Sequence, residues 1–323
     1  MSNWVVVIGT GPSQEPLILN AKKLGFKVAG IDKTPNSNII DYPISISTYD
    51  YDKALNAVKS LPFISNIKGI IARVSGPANL TSAKISEYLN LPSPTLEIAK
   101  MSTSKSYLRK VAQDIGVSTI EGSNLINLPN WVEGSDFVIK PDQPVIGKKN
   151  VFRVTNRNDF IKAFELASNE SLNNLVECQD YEEGTDIGLA IAVVNGNIIW
   201  SFLYEEIIDE VDGNFIGIGV RGPLQKLDKR ICKKIIDSAT RIIESLHPTG
   251  FIFFSYRLTP SNELKLYEIN PGLCGDNIAD KLFKKIWPAT NFFELDIQLA
   301  TNSIPNLPSS DSGQESSIYK DEI

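Results

Sequence analysis

Tyr267-Glu268-Ile269-Asn270-Pro271 closes a predicted strand. A turn sequence, Thr259-Pro260-Ser261-Asn262-Glu263, precedes it, so the two flanking apolar runs are expected to form a hairpin. Glu268 and Asn270 stand two residues apart, and on a strand that spacing puts both side chains on one face. A carboxylate beside an amide oxygen on a rigid strand suits a hard cation such as Mg2+. Such an ion takes oxygen ligands and leaves positions for water and phosphate. Pro271 then ends the strand.

Composition limits the classes open to the rest of the chain. The 323 residues are 42% hydrophobic and 22% charged, as in an ordinary globular protein of two or three domains. A net charge of −6 and a pI near 5.1 argue against a broad nucleic-acid or anionic-membrane surface. No apolar run approaches a membrane span, and the start, Met1-Ser2-Asn3-Trp4, leads into a strand with no signal-peptide pattern. Cys178, Cys232 and Cys274 are widely spaced and form neither a zinc pattern nor a disulfide framework, so a cytoplasmic location is expected. His247 is the only histidine, which argues against a Ser-His-Asp triad and multi-histidine metal sites. The chemistry is expected to rest on carboxylates, lysines and a metal.

The first 95 or so residues alternate strand and helix. Strands are predicted at 5–8, 27–32 and 69–72, with a helix ending at Gly25 and another over 79–89. This pattern predicts a doubly wound parallel sheet. Gly9-Thr10-Gly11-Pro12-Ser13-Gln14 at the first turn has two glycines of a dinucleotide fingerprint, with Gln14 in place of the third, and Asp32 ends the second strand. A nicotinamide-dependent oxidoreductase is therefore one alternative. Leu91-Pro92-Ser93-Pro94 reads as a linker. A helix over 102–115 follows, then strands at 136–141, 150–154 and 175–179. Asn195-Gly196-Asn197 marks a hairpin between strands 189–194 and 198–203. A long amphipathic helix is expected over 228–246, and a disordered tail over 304–323.

Three further stretches carry candidate chemistry. Lys140 ends an apolar strand and offers a cation to a phosphate or an adenine edge. The loop at 142–150 carries Gly147, Lys148 and Lys149, where backbone N–H groups and ammonium groups could hold phosphate oxygens. Gln179, Asp180, Tyr181, Glu182 and Asp186 lie at a strand end running into an acidic turn, suited to ribose hydroxyls and an adenine edge. Arg221, in Gly219-Val220-Arg221-Gly222-Pro223, is expected in a loop as an oxyanion contact. Arg73, after a strand, is open to a substrate carboxylate or to a role at the edge of the core.

The order of these pieces resembles the ATP-grasp superfamily, in particular its carboxylate–amine ligases. The resemblance covers about residues 1–300 and rests on Ser104-Lys105-Ser106-Tyr107-Leu108, Ile139-Lys140-Pro141, Gln179-Asp180-Tyr181 with Gly184 and Asp186, and Glu268-Ile269-Asn270-Pro271. It implies an N-terminal doubly wound domain over 1–95 and a two-part ATP-grasp domain over 96–303, with a smaller lid at about 116–182. It implies ATP and Mg2+ as cofactors. Lys105 and Lys140 would contact the nucleotide, and the loop with Gly147 and Lys149 would close over its phosphates. Gln179, Asp180, Tyr181 and Glu182 would form the adenine hinge, and Asp186 would hold the ribose. Glu268 and Asn270 would bind the metal, while Lys149 and Arg221 would steady the reacting groups. The Gly9–Ser13 loop would face the substrate. The implied reaction joins a small-molecule carboxylate to an amine through an acyl phosphate. Nucleic-acid and membrane partners are not expected, and a homodimer is allowed.

Three positions depart from the family pattern. Ser255 or Tyr256 stands where a second acidic metal ligand is usual, and a neutral hydroxyl is a poorer Mg2+ ligand. Gly272 follows Asn270-Pro271 where the family often has Arg. The phosphate loop carries Pro144-Val145-Ile146, and Asn150 replaces a common glycine. Two readings follow: a ligase with a reduced metal site, aided by Arg221 or Asp276, or a catalytically weak ATP-binding homologue with a regulatory role.

Overall fold

A computed structural model describes residues 2–144, 150–211, 213–273, 277–310 and 315–319. The N-terminal region runs β1 (Trp4–Ile8), α1 (Glu15–Lys23), β2 (Lys27–Asp32), β3 (Tyr42–Ser45), α2 (Tyr51–Lys59), β4 (Ile67–Ala72) and α3 (Ala78–Leu89). Its strands are parallel in the order β3-β2-β1-β4. Val5, Val6, Val7 and Ile8 are all fully buried, because helices cover both faces of this sheet. β3 and α2 are absent from the sequence reading; β3 is four residues long, and only Ile44 is buried on it.

The second region begins with α4 (Leu96–Thr103) and α5 (Lys105–Ile115). The sequence predicts a single helix here, over 102–115. Ser104 instead adopts an extended backbone and caps α5, its hydroxyl accepting from Tyr107 N–H at 3.2 Å. There follow β5 (Gly122–Leu125), β6 (Phe137–Pro141), β7 (Phe152–Val154), α6 (Arg157–Glu170), β8 (Val176–Asp180), β9 (Thr185–Val194), β10 (Asn197–Val211), β11 (Asn214–Gly222), α7 (Lys229–Leu246), β12 (Gly250–Leu258), β13 (Leu264–Pro271), α8 (Phe283–Ile286) and α9 (Phe292–Ala300). A last strand, β14 (Ser316–Tyr319), ends the described chain. The strands build one antiparallel sheet, β13-β12-β9-β10-β11-β7-β6-β8-β5, with β14 against β11.

The tail expected to be disordered is therefore ordered where it is described. Ile318 is buried, and Trp200 Nε1–H donates to the Pro308 carbonyl at 2.9 Å. β11 meets β7 only at Asn214, so the rest of that edge is open until β14 pairs along Gly219–Gly222.

The large sheet has two distinct faces around β9, β10 and β12. Ile187, Leu189, Ile191, Phe254 and Tyr256 face α5 and α7. Ala190, Trp200, Phe202, Tyr204 and Phe253 face the helical segment that includes Phe283 and Phe292. The second face turns polar toward one end, and that end carries the site. A smaller core around Ile139, Val154, Phe160 and Cys178 holds α6 against β6–β8. α9 then crosses back to the first sheet, where Ile297 packs with Val5, Leu17 and Ile71. The two regions thus share a core.

Gly188 shows how tightly the cleft floor is packed. A Cβ there would come within 2.0 Å of the Tyr204 ring, which is fully buried and has no room to move. Overpacking of this kind costs about 1–3 kcal/mol. Gly188→Ala is expected to lower unfolding stability by about that amount, with an unchanged slope in urea titration.

Candidate active site

Two lobes meet over a cavity of about 140 Å3. Its apolar wall comes from Ile120, Val138, Val151, Ile208 and Phe215. Tyr181 lies parallel to Phe215 with ring centroids 6.3 Å apart, and the Arg153 guanidinium sits 3.6 Å over the Tyr181 ring. An apolar wall bearing aromatic faces is suited to a planar heterocycle.

Alternation along each strand supplies the polar wall. Val138 and Lys140 on β6 face the same way, opposite Gln179 and Glu177 on β8. Lys140 is only 8% exposed. Burial, reinforced by the positive charge of Lys105, pulls its ammonium pKa down to about 7. Lys105, at the start of α5, reaches Glu268 with Nζ 3.4 Å from Oε1. Asp142 ties these parts together. It is fully buried and accepts from Ser106 N–H at 3.0 Å, from Asn173 Nδ2 at 2.8 Å and from the Ser104 hydroxyl at 3.1 Å. Arg109 pairs with the fully buried Glu177 beside it, and burial lowers the arginine's pKa.

The structure thus brings Lys105, Lys140, Gln179, Asp180, Tyr181, Glu182, Asp186 and Glu268 to one cavity. Asn270 lines the adjoining cleft with Glu268. Asp186, expected at a ribose, is gripped by Arg257, whose Nη2 lies 3.3 Å from Oδ1. Gly147 and Lys149, with Lys148 and Asp276, lie outside the described residues.

Arg221 is not brought to this site. It stands on β11 rather than in a loop, paired in register with Glu205, and the two side chains form an ion pair. Glu205 pairs in turn with Ile187, which faces α5 and α7, so the expected oxyanion contact lies across the sheet from the cavity. Tyr256 also faces that core, which leaves Ser255 as the residue beside Glu268. Arg73 is buried as a tie between the N-terminal and second regions: Nη1 donates to the Ser13 carbonyl at 3.1 Å, and the guanidinium pairs with Asp280. Asp32 accepts from Thr10 N–H at 2.8 Å and Thr34 N–H at 3.0 Å, so the acid of the dinucleotide alternative is engaged by its own loop.

Glu206, Arg257 and Asp142 escaped the sequence reading. Counting by twos from Trp200 through Phe202 and Tyr204 reaches Glu206 on the same face. Ser255 donates its hydroxyl to Glu206 Oε1 at 3.0 Å. Among the described residues lining the cavity, Asp180, Glu182, Asp186, Glu206 and Glu268 oppose Lys105, Lys140 and Arg257. Five acids against three cations make a poor home for a polyphosphate unless a further cation comes with it. Among the described residues, no three Asp, Glu, His or Cys side chains gather into a metal cluster. The donor set still fits Mg2+, which commonly takes one or two carboxylates and leaves its other positions to phosphate and water.

The second cleft runs on to the N-terminal sheet. Gly9, Ser13 and Gln14 after β1 and Ser75 and Gly76 after β4 line it together with Glu268 and Asn270. These are the carboxyl ends of the two strands at which the sheet's order reverses, where open α/β sheets bind ligands.

The fold matches solved structures along nearly the whole chain. An N5-carboxyaminoimidazole ribonucleotide synthetase solved with ADP is 15% identical with a TM-score of 0.75, over 98% of this chain and 81% of that one. An L-amino acid ligase from Bacillus licheniformis is 18% identical with a TM-score of 0.74, over 93% and 75%. A phosphoribosylglycinamide synthetase from Anaerococcus prevotii is 16% identical with a TM-score of 0.72, over 98% and 80%. No protein-family model matches the sequence. The chain has the ATP-grasp fold, with its N-terminal α/β domain in place. Among the described residues, no helix is long and apolar enough to cross a membrane.

Lys140 gives the fold a pH signature. In the unfolded chain it keeps its proton to about pH 10.4, whereas in the folded protein it gives it up near 7. Between those values the unfolded state binds more protons, so this residue makes stability rise with pH. In urea titrations, the stability of Lys140→Met relative to the parent is expected to be highest near pH 7 and to fall as pH approaches 10. A difference that stays flat across this window would refute the buried, neutralised lysine.

Proposed function

We propose that this protein is an ATP-dependent ligase that activates a small-molecule carboxylate and joins it to an amine. The observation that carries the reading is the convergence of Lys105, Lys140 and Glu268 in one cavity between two lobes. Its support comes from ligases of the same fold, one of them solved with ADP.

In this reading the adenine lies against the apolar wall with Tyr181 and Phe215, and Lys105 and Lys140 meet the phosphates. Lys140 is then recharged, because a polyphosphate favours its ammonium form. Glu268 and Asn270 would hold Mg2+, which when bound neutralises phosphate oxygens. The carboxylate substrate enters by the cleft between the Gly9–Ser13 loop and Asn270. One of its oxygens attacks the γ-phosphorus, the bond to the bridging oxygen breaks, and ADP leaves. The amine nitrogen then attacks the acyl carbon, phosphate leaves with the bonding electron pair, and the nitrogen loses a proton. Both steps depend on positioning and charge neutralisation, for which no histidine or cysteine nucleophile is needed. Burial raises the Cys178 thiol pKa to about 11, in keeping with an inert core residue.

ADP release, measured across a panel of carboxylates paired with amines, tests the reading. At least one pair is expected to give turnover, and Glu268→Gln is expected to abolish it while leaving the circular dichroism spectrum unchanged. ADP binding with no turnover on any pair would favour a regulatory ATP-binding protein. No nucleotide binding at millimolar concentration would overturn the ligase reading altogether.

A further inference from the structure

α9 packs against both regions. Its Phe292, Leu295 and Leu299 enter the core of the large sheet, and its Ile297 packs against the N-terminal sheet. Asp296 stands among those contacts and is only 7% exposed. It borders a cavity of about 40 Å3 lying between β4, α3, the 92–95 linker and the start of β12. Among the described residues on that wall, it is the one charged side chain. The polar side chains around it are committed elsewhere. Asn79 donates to the Ser102 hydroxyl at 3.2 Å, Thr95 accepts from Ile98 N–H at 3.4 Å, and Thr249 accepts from Asn195 N–H at 2.9 Å. Among the described residues, no hydrogen bond or ion pair reaches the Asp296 carboxyl. Arg73, just past β4, acts on it through its charge, and that guanidinium is held by Asp280 and the Ser13 carbonyl. The other charged groups on the surrounding elements are engaged away from it. Lys23 of α1 pairs with Glu294, Lys84 of α3 lies over the Tyr51 ring, Glu97 and Lys100 of α4 pair with each other, and Arg257 of β12 pairs with Asp186.

We propose that Asp296 is a proton-operated latch between the two regions. As a neutral acid it lets the seam close without water; as a carboxylate it draws water into the cavity and loosens α9 from β4. A buried carboxylate with no partner cannot stay charged at little cost: it keeps its proton or it gains water. Burial, only partly offset by the Arg73 charge, lifts its carboxyl pKa to about 7, in keeping with the first of these. The cavity has room for the second, since one water needs only ~10–15 Å3. The helix itself has little freedom to adjust. A Cβ on Gly69 of β4 would come within 2.7 Å of the Ala300 carbonyl, so the end of α9 lies directly on the sheet. Hydration of the carboxylate is therefore accommodated by an outward movement of α9. In the unfolded chain an aspartate titrates near 3.9. Between that value and about 7 the closed seam holds a proton that a solvated Asp296 gives up. The latch is firm at the acid end of that window, weakens as pH rises, and is fully relaxed above it. Nucleotide binding plays no part in it.

The test uses the full-length protein without added ligand. Carbon-13 NMR follows the Asp296 carboxyl, assigned through its own backbone, across the pH range. Its midpoint is expected near neutral, and a midpoint below about 5 overturns the latch. Amide hydrogen exchange, corrected for intrinsic rates, reads how often α9 and β4 open. In the parent that opening is expected to rise at least tenfold from about pH 5 to about pH 8 and to level off at the carboxyl midpoint. In Asp296→Asn, which keeps the shape and removes the titrating proton, it is expected to change less than about threefold. An opening that stays flat in the parent, or that rises equally in Asp296→Asn, overturns the proposal. If Asp296→Asn does not fold, the parent alone decides: exchange that fails to level off at the carboxyl midpoint overturns the coupling.

Discussion

The site is built around charges held away from water. Lys140 and Lys105 sit beside each other and beside Glu268, with Arg109, Glu177 and Asp142 packed behind them. Unpaired, any one of these groups would cost several kcal/mol to bury. Each is tolerable because three separate elements converge: β6 brings Lys140, the start of α5 brings Lys105, and β13 brings Glu268. Asp142 fixes the first two to each other through Ser104 and Ser106. The break between α4 and α5 follows from the same bond, since Ser104 cannot both continue a helix and present its hydroxyl as this cap. An anionic ligand would relieve the repulsion between the two lysines, although the acids around them demand that a cation come with it.

Much of this was legible in the chain, and what was not has a physical cause. The period of apolar residues gave the parallel sheet, the long helix and the hairpin at Asn195-Gly196, because those signals are local. Lys140, Gln179 and Glu268 were legible because each is a polar residue toward the end of an apolar strand, whereas Lys105 was reached only through the family resemblance of Ser104–Leu108, inside a helix expected to run unbroken over 102–115. Arg221 was misread because β11 is poor in consecutive apolar residues, so a glycine-rich strand looked like a loop. Its partner Glu205 is a cross-strand neighbour, and register between strands is not written locally. β14 escaped for the same reason: four residues with one buried isoleucine make a strand only because β11 offers an open edge.

Two of the departures from the family pattern have direct structural explanations. Gly272 has φ of +80°, and a Cβ there would lie 2.8 Å from the Ala72 carbonyl of β4. The position usual for arginine is here the seam between the two sheets, where only glycine avoids both strain and collision. Asn150 has φ of +55°, the left-handed region that asparagine enters more readily than other non-glycine residues. It therefore keeps the backbone conformation that glycine would supply at the end of the segment expected to close over phosphates.

The remaining departure, Ser255 for an acid, turns on which face of a strand a residue occupies. Glu205 and Glu206 are chemically identical and adjacent, yet one pairs with Arg221 over the outer face and the other accepts from Ser255 in the cleft. The bulge between Ile207 and Ile208 begins just past them, so the alternation that starts at Trp200 reaches Glu206 intact. A shift of one residue would exchange the two glutamates and cost the site nothing in charge, but it would turn Tyr204 and Phe202 out of their core. The packing of those aromatic rings therefore sets the register of β10, and through it the carboxylate beside Ser255. A motif read along one strand finds an acid missing, while the folded cleft has one within hydrogen-bond reach of the same point.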